Sequence, residues 1–175
     1  FSLQLVDPKT EKIYSNLWIV ETANGSARQF TYGDQNDAQP RWSPDGAQLA
    51  FISNRADKEK PGQLYLIPFT GGEARPLTGI PGVIGGYSWS PDGKRILCMA
   101  RKFDPDELER QKDEQKKKLG VVSRRYSRLF YKLDGVGYLA HERWHLWVVD
   151  VRSGKAKQIT DHPIFDEQEA TWSSD

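Results

Sequence analysis

The pentapeptide Trp-Ser-Pro-Asp-Gly occurs twice in this sequence, 47 residues apart. The two copies begin at Trp42 and Trp89, and a partial third copy, Trp-Ser-Ser-Asp, begins at Trp172. A repeat of roughly 40–50 residues, with turn residues at a fixed offset from a tryptophan, is typical of β-propeller blades. The repeat therefore predicts a chain that folds as successive blades.

Other segments recur in the same order within each repeat. Aromatic and aliphatic segments begin at Leu17, Leu64 and Leu146, and each is followed by a turn and by a short segment ending in threonine. Short apolar runs bounded by Gly, Pro and Asn are typical of strands. The run 49–52 is apolar on both faces, which suits a sheet covered on both sides. An ordinary β-sandwich would explain these strands, but it would not explain the repeat.

The chemistry of the pentapeptide predicts a tight turn between two antiparallel strands. Proline at the second position already has the required φ, and glycine at the end tolerates a positive φ. We expect the tryptophans to pack between adjacent blades rather than to bind a ligand. The predicted structural residues of the blades are Trp42, Pro44, Asp45, Gly46, Trp89, Pro91, Asp92, Gly93 and Trp172.

The repeat also predicts the organisation of the chain. We expect an all-β, partial β-propeller of four-stranded antiparallel blades. Its parts are a partial blade (1–31), a complete blade (38–78), a blade with an insertion (85–160, insertion at about 102–143) and the start of another (168–175). Propellers close with 4–8 blades, so this stack is open, and we expect its uncovered faces to favour self-association.

The insertion carries two predicted elements. The segment from Asp104 to Gly120 has an N-cap, leading acids and closing lysines, which predicts one charged helix. Its acids are interleaved with its lysines, and it has no apolar stripe, so a solvated helix is favoured over a nucleic-acid contact. Asp134-Gly135 is typical of a hairpin turn.

The amino-acid composition restricts the kinds of partner that we expect. The 25 basic and 24 acidic residues leave a net charge of +1, which gives no basic field for nucleic acid. The mean hydropathy of −0.70 and the absence of a long apolar run argue against a membrane span. A single cysteine, Cys98, rules out an internal disulfide. The compartment stays open: the cytoplasm is favoured and the periplasm is an alternative.

Several motifs together carry a family resemblance. They are the two pentapeptides, Arg124-Arg125-Tyr126, the segment 131–139 and the segment 145–150. With these motifs the chain resembles the N-terminal propeller of acylaminoacyl-peptidase-type enzymes, in the prolyl oligopeptidase family of serine peptidases. The resemblance implies that the propeller admits peptides and oligopeptides to a C-terminal α/β-hydrolase domain with a Ser-Asp-His triad.

The catalytic residues of that family have no counterparts in this chain. The nucleophile motif Gly-x-Ser-x-Gly is absent, and the nearest string, 86–90, ends in serine inside a predicted strand. We therefore expect this chain to be non-catalytic and to need no cofactor, as part of a larger serine peptidase. The alternative is a TolB-like propeller that serves as a scaffold for a protein or peptide partner.

The candidate substrate-facing residues come from the insertion, because loops on a rigid scaffold carry specificity. They are Arg124, Arg125, Tyr126, Tyr131 and Tyr138. Guanidinium and phenol groups can bind peptide carboxylates and carbonyls. The alternative is that the arginines pair with acids of the helix and that the tyrosines pack the hairpin.

One motif matches a zinc site, but the strand predicted directly after it contradicts that interpretation. Residues 141–145 match His-Glu-x-x-His, in which a helix places both imidazoles on one zinc ion. Here the motif runs directly into the strand-like segment 146–151. Residues four apart in an extended chain are about 13 Å apart, which is too far for one zinc ion. We therefore predict no metal site.

Overall fold

A computed structural model of the chain describes residues 1–118, 129, 131–134, 137–138 and 142–174. These residues form thirteen strands and two short helices. In chain order they are β1 (Ser2–Val6), β2 (Ile13–Val20), β3 (Ala27–Gln29), β4 (Asp37–Trp42), β5 (Gln48–Ser53), β6 (Gln63–Pro68), β7 (Arg75–Pro76), β8 (Gly82–Trp89), β9 (Arg95–Lys102), α1 (Pro105–Lys112), α2 (Glu114–Lys118), β10 (Lys132–Leu133), β11 (Gly137–Tyr138), β12 (Trp144–Asp150) and β13 (Ala156–Gln158).

The strands form three antiparallel sheets and a separate hairpin. Blade 1 has the order β1-β2-β3, blade 2 the order β4-β5-β6-β7, and blade 3 the order β8-β9-β12-β13. The first pair of strands has the same register in blades 2 and 3, with Trp42 opposite Leu49 and Trp89 opposite Ile96. This is the all-β, partial β-propeller architecture that the repeat predicts.

The two Ser-Pro-Asp-Gly turns have the same hydrogen bonds. The hydroxyl groups of Ser43 and Ser90 each lie 2.6 Å from Oδ1 of the aspartate two residues later. Hydrogen bonding from these serines is the main cause that holds the pKa of Asp45 and Asp92 below its usual range. Each turn closes with a glycine at positive φ, 70° and 68°. Proline and glycine therefore stand where a tight hairpin turn requires them.

The core lies between the blades. On one face of blade 2, Leu49 and Phe51 pack with Leu17 of blade 1. On the other face, Ala50 packs with Ile96 and other residues of blade 3. β5 is thus apolar on both faces because it is covered on both sides, as its sequence predicts. Cys98 lies in the second of these clusters, and burial raises the pKa of its thiol to about 12.

Two of the three repeated tryptophans link one blade to the blade before it. The indole Nε1 of Trp89 donates to the carbonyl oxygen of Arg41, and that of Trp172 donates to the carbonyl oxygen of Ser88, both at 3.3 Å. Trp42 differs from the expectation that all three pack between blades. It is 46% exposed, and it contacts Phe69 of its own blade edge-on at 5.0 Å.

A partly buried tyrosine adds a second link between blades 2 and 3. The hydroxyl of Tyr87 lies 2.6 Å from the carbonyl oxygen of Gln39 and 2.7 Å from that of Ala50. Burial raises the pKa of this phenol. Gln39 lies in a β-bulge with a φ of 53°, which is unusual for a residue with a side chain. The bulge turns the Gln39 carbonyl towards the next blade.

The insertion departs from the predicted single helix. The described residues form α1 and α2 with Asp113 between them. Oδ1 of Asp113 accepts the backbone N–H groups of Gln115 and Lys116, at 2.9 and 3.2 Å, so it caps a new helix instead of continuing the old one. The predicted hairpin is present: Lys132 pairs with Tyr138.

Residues 168–174 were predicted to begin another strand. Within the described part of the chain they form none, since a strand needs a hydrogen-bonded neighbour. Neither helix in the described part of the chain is long and apolar enough to cross a membrane.

Candidate functional site

Each blade has two different ends. The turn between the first and second strands lies at one end with the turn between the third and fourth, because successive strands are antiparallel. The connection between the second and third strands lies at the opposite end with the crossover to the next blade. We call this opposite end the crossover face. It comprises the crossovers 30–36, 77–81 and 159–171, the connections 7–12 and 54–62, and the two ends of the connection between β9 and β12.

A repeated threonine begins each crossover. Its hydroxyl oxygen accepts the backbone N–H of a leucine in the third strand of the same blade. The pairs are Thr31 with Leu17 at 2.8 Å, Thr78 with Leu64 at 3.0 Å, and Thr160 with Leu146 at 2.9 Å. Each crossover therefore starts from a fixed point on its own blade.

The residue before each of these leucines is polar, and its side chain binds the crossover at a second point, later in the chain than the threonine. The donor and acceptor atoms differ from blade to blade. Asn16 Nδ2 donates to the carbonyl oxygen of Gly33 at 3.1 Å, Gln63 Oε1 accepts the N–H of Ile80 at 2.9 Å, and His145 Nδ1 lies 2.7 Å from Glu167 Oε2. Gln63 also donates, because its Nε2 lies 3.0 Å from the carbonyl oxygen of Ile80. The crossovers are thus held by an amide donor in blade 1, an amide that both donates and accepts in blade 2, and an imidazole–carboxylate pair in blade 3.

The third crossover has further polar anchors near its end. Glu167 pairs with His145, and its backbone N–H donates to the carbonyl oxygen of Trp144 at 2.9 Å. Oδ1 of Asp166 accepts the N–H of Trp144, and Oδ2 lies 3.6 Å from Nη1 of Arg143. Burial alone would raise the pKa of Glu167, but hydrogen bonds from His145 and Thr160 outweigh it and hold the pKa below its usual range.

The tip of the third crossover is apolar. Nδ1 of His162 accepts the backbone N–H groups of Ile164 and Phe165, each at 3.2 Å. The imidazole also stacks on the ring of Phe165, with 4.6 Å between the centroids. Ile164 is 66% exposed and Phe165 is 65% exposed. The loop therefore holds two apolar side chains out from the crossover face.

A buried ion pair supports the first crossover. The side chain of Asp37 is fully buried, and both its oxygens accept from Nη2 of Arg55, at 3.0 and 2.8 Å. Nε of Arg55 donates to Oγ of Ser53 at 3.0 Å. The guanidinium also lies over the rings of Phe51 and Tyr65, 5.0 and 5.3 Å from their centroids. Charge, hydrogen bonds and ring contacts thus fix the start of β4.

The predicted substrate-facing residues fall mostly outside the described residues. Arg124, Arg125 and Tyr126 are among those not described, and of Tyr138 only the backbone, in β11, is described. Tyr131 precedes β10 and is 46% exposed. β9 ends and β12 begins at the crossover face, so the insertion starts and finishes there.

The His-Glu-x-x-His motif lies across the start of a strand. β12 begins at Trp144 and contains His145, which faces Glu167. His141 is outside the described residues. Within the described part of the chain, no group of three His, Cys, Asp or Glu residues could hold a metal ion. The extended backbone therefore does not give His145 the helical geometry that this motif needs.

Sequence reasoning missed the charged pairs of the crossover face. Asp37 lies five residues before Trp42, and Glu167 lies five residues before Trp172. This shared offset was a signal that could have singled out both acids. Their partners, Arg55 and His145, lie 18 and 22 residues away along the chain, where no local pattern indicates them.

The repeated blades, their identical turns and the tryptophan links define this chain as part of a β-propeller. Residues 3–126 match the family of the TolB beta propeller domain, and the chain belongs to that family.

The known proteins that are similar to this chain include peptidases. The chain is 39% identical over 158 residues to an uncharacterized peptidase, YuxL, of Bacillus subtilis, covering 90% of this chain and 23% of that protein. It is 27% identical over 164 residues to dipeptidyl-peptidase 5 of Porphyromonas endodontalis, covering 94% of this chain and 21% of that protein. The solved acylaminoacyl peptidase of Pyrococcus horikoshii matches with a TM-score of 0.69 at 21% identity, covering 94% of this chain and 23% of that one.

These similarities confirm the resemblance to acylaminoacyl-peptidase-type propellers. The structural match, at low identity, concerns the fold. The chain spans less than a quarter of the length of each of these proteins.

Proposed function

We propose that this chain is part of the propeller of a serine peptidase of the acylaminoacyl-peptidase, prolyl oligopeptidase type. In this proposal it is non-catalytic and shapes the access of peptides to an α/β-hydrolase domain elsewhere in the same polypeptide. The observation that carries the proposal is the 39% identity to a peptidase over 90% of this chain.

The topology supports a gating role for the crossover face. The last strand of a blade runs towards this face, so a domain that directly follows the final blade emerges there. The insertion of blade 3 begins and ends at the same face. Peptides that reach the hydrolase domain would therefore pass the crossovers and the insertion, where loop residues can select them.

The first test is catalytic activity of the full-length protein. We expect hydrolysis of short blocked-peptide substrates and covalent labelling by a fluorophosphonate probe, which reacts with activated serines. We also expect intact folded proteins to be poor substrates. A full-length protein that is neither labelled by the probe nor able to cleave these peptides would overturn the proposal.

The second test concerns the insertion. We expect Arg125→Ala to raise KM for blocked peptides and to leave kcat nearly unchanged. A guanidinium that only binds a carboxylate or carbonyl of the peptide stabilises the bound substrate and the transition state equally. Arg152→Ala is the matched control, since Arg152 is exposed in the turn between β12 and β13, at the opposite end of the blade. An unchanged KM in the first variant would remove Arg125 from the site.

A second candidate function is a TolB-like scaffold that binds a protein or peptide partner without catalysis. The match to the TolB beta propeller domain favours it. The two functions differ in the fluorophosphonate experiment: the peptidase is labelled at one serine, and the scaffold is not labelled.

A further inference from the structure

We infer that Asn24, in the turn between β2 and β3, is a site of spontaneous deamidation, and that the side chain of Glu21 sets its rate. Deamidation converts the side-chain amide of asparagine into a carboxylate and releases ammonia, and asparagine is among the thermally labile residues. The reaction needs no catalytic domain, so it is independent of the proposed function.

The reaction joins two neighbouring groups of the turn, the side-chain amide of Asn24 and the backbone nitrogen of Gly25. The nitrogen attacks Cγ of Asn24, a C–N bond forms, and the bond from Cγ to Nδ2 breaks. The proton of the attacking nitrogen goes to the leaving group, which departs as ammonia and leaves a five-membered succinimide ring. One water molecule then opens the ring at either carbonyl, which gives aspartate or isoaspartate.

Only one of the four asparagines is followed by the residue that favours this attack. A side chain on the following residue crowds the attacking nitrogen, and the glycine after Asn24 has none. The other three asparagines precede residues with larger side chains; they are Asn16, Asn36 and Asn54. Asn24 and Gly25 are both exposed, and a Cβ atom on Gly25 would meet nothing within 4 Å. The space beside the nitrogen is therefore open to water.

Three hydrogen bonds restrain the reacting groups in the folded turn. The N–H of Gly25 donates to the carbonyl oxygen of Glu21 at 2.8 Å, so the attacking nitrogen is already engaged. Nδ2 of Asn24 donates to Oε2 of Glu21 at 3.0 Å, and Oδ1 of Asn24 accepts the N–H of Ser26 at 2.8 Å. The amide must break its bonds before its carbon can turn towards the nitrogen, so the folded turn slows the reaction.

The carboxylate of Glu21 slows the reaction in two ways. Its bond to Nδ2 of Asn24 is a hydrogen bond to a charged group, which is stronger than a bond between neutral groups. The attacking nitrogen becomes anionic when it loses its proton, and a carboxylate beside the reacting amide disfavours a second negative charge. Removal of this carboxylate should therefore speed deamidation.

The product changes blade 1 and leaves the equivalent turns of the other blades unaltered. A carboxylate at position 24 would place a second negative charge beside Glu21, and isoaspartate would add a backbone atom to the turn that joins β2 to β3. The equivalent turns hold Thr70-Gly71-Gly72 in blade 2 and Ser153-Gly154 in blade 3, and neither contains an asparagine. Deamidation therefore weakens the pairing of β3, which is the edge strand of blade 1.

Peptide mapping by mass spectrometry tests the site. Folded full-length protein is kept in mildly alkaline buffer made with water enriched in heavy oxygen, and samples are digested over time. We expect the peptide with Asn24 to gain the mass that separates an amide from a carboxyl group, to take up one heavy oxygen, and to give both aspartate and isoaspartate forms. The peptides with Asn16, Asn36 and Asn54 should not change over the same period.

Two results of this experiment would overturn the inference. One is the absence of any Asn24 product in folded protein after many half-lives of the same reaction in urea-unfolded protein. The other is conversion of the remaining asparagines as fast as Asn24, since the glycine after Asn24 would then give it no advantage.

A pair of variants tests the role of Glu21. We expect Glu21→Ala to raise the rate in folded protein about three-fold or more, because it removes the bond to Nδ2 and keeps the backbone bond of residue 21. In urea this variant and the parent protein should react at nearly the same rate, because the turn is lost. Glu73→Ala replaces an exposed glutamate in the equivalent turn of blade 2 and should leave both rates unchanged. An equal or lower rate in folded Glu21→Ala would refute the role of Glu21.

A third variant tests the effect on the blade. Asn24→Ser gives blade 1 the Ser-Gly pair of blade 3 and cannot deamidate. We expect the unfolding temperature of this variant to stay constant during the incubation, whereas that of the parent protein falls as product accumulates. A parent protein whose unfolding temperature is unchanged after conversion would contradict the predicted weakening of β3.

Discussion

The indole Nε1 of Trp89 lies 3.3 Å from the carbonyl oxygen of Arg41, the residue that precedes the equivalent tryptophan of the preceding blade. Trp172 makes the same bond to Ser88, which precedes Trp89. The repeat in the sequence is therefore also a repeat of contacts between blades.

We expect Trp89→Ala to lower the free energy of unfolding by about 3 kcal/mol, near the lower end for a truncated aromatic because the ring is only partly buried. Trp89→Phe should cost less, since it keeps most of the packing and loses the N–H bond. Urea unfolding measures both. Trp42→Ala is the matched control, and it should cost less than Trp89→Ala because Trp42 is 46% exposed. Equal losses at the two positions would contradict the assigned role of Trp89.

The Asp37–Arg55 pair predicts an asymmetry between two variants. Arg55→Met should destabilise the protein by about 3–5 kcal/mol, because it leaves a fully buried carboxylate without its cation. Asp37→Asn should cost less, since the side chain of Arg55 is 24% exposed and its guanidinium can turn to water. The double variant should recover part of the loss. Urea unfolding of all three variants tests this, and a double variant as unstable as the sum of the single ones would show that the two residues are not coupled.

The conformation of Gly46 predicts the order of two substitutions. Its φ is 70°, and a Cβ atom there would meet nothing within 4 Å, so the strain comes from the backbone and not from a clash. Gly46→Ala should cost about 1 kcal/mol. Gly46→Asn should cost less, because asparagine tolerates this conformation. Thermal unfolding of the two variants would refute this if alanine proved the milder change.

Glu167 predicts a pH dependence of stability. Its pKa in the folded chain lies below its ordinary value of 4.5, so the folded state favours the carboxylate. The resulting stabilisation is present above the unfolded pKa and is lost as the pH falls through the folded pKa. Between about pH 5.5 and about pH 3.5, the parent protein should therefore lose more stability than Glu167→Gln does.

Thermal unfolding across this range measures the difference. Glu73→Gln replaces an exposed carboxylate and should follow the pH dependence of the parent protein closely. A Glu167→Gln profile parallel to that of the parent would show that the His145 contact does not favour the charged carboxylate.

Local patterns predicted the strands, the turns and the hairpin of the insertion, because each depends on residues close together in the chain. The insertion was predicted to hold one continuous helix, since its pattern of charges continues through Asp113, but the side chain of that residue caps a second helix. The exposure of Trp42 and the Asp37–Arg55 pair depend on which segments meet in space. A repeat in the sequence gives the equivalence of positions, but not the environment of each one.

The polar residues before Leu17, Leu64 and Leu146 hold their crossovers with an asparagine, a glutamine and a histidine. Because each acts through its own partner, the three positions are not interchangeable although the repeat aligns them. Moving His145 to another blade without Glu167 would leave an imidazole facing a backbone carbonyl or amide. Such repeats would diverge through compensatory pairs of changes, and a chimaera that exchanges blades would have to carry each crossover together with the strand that holds it.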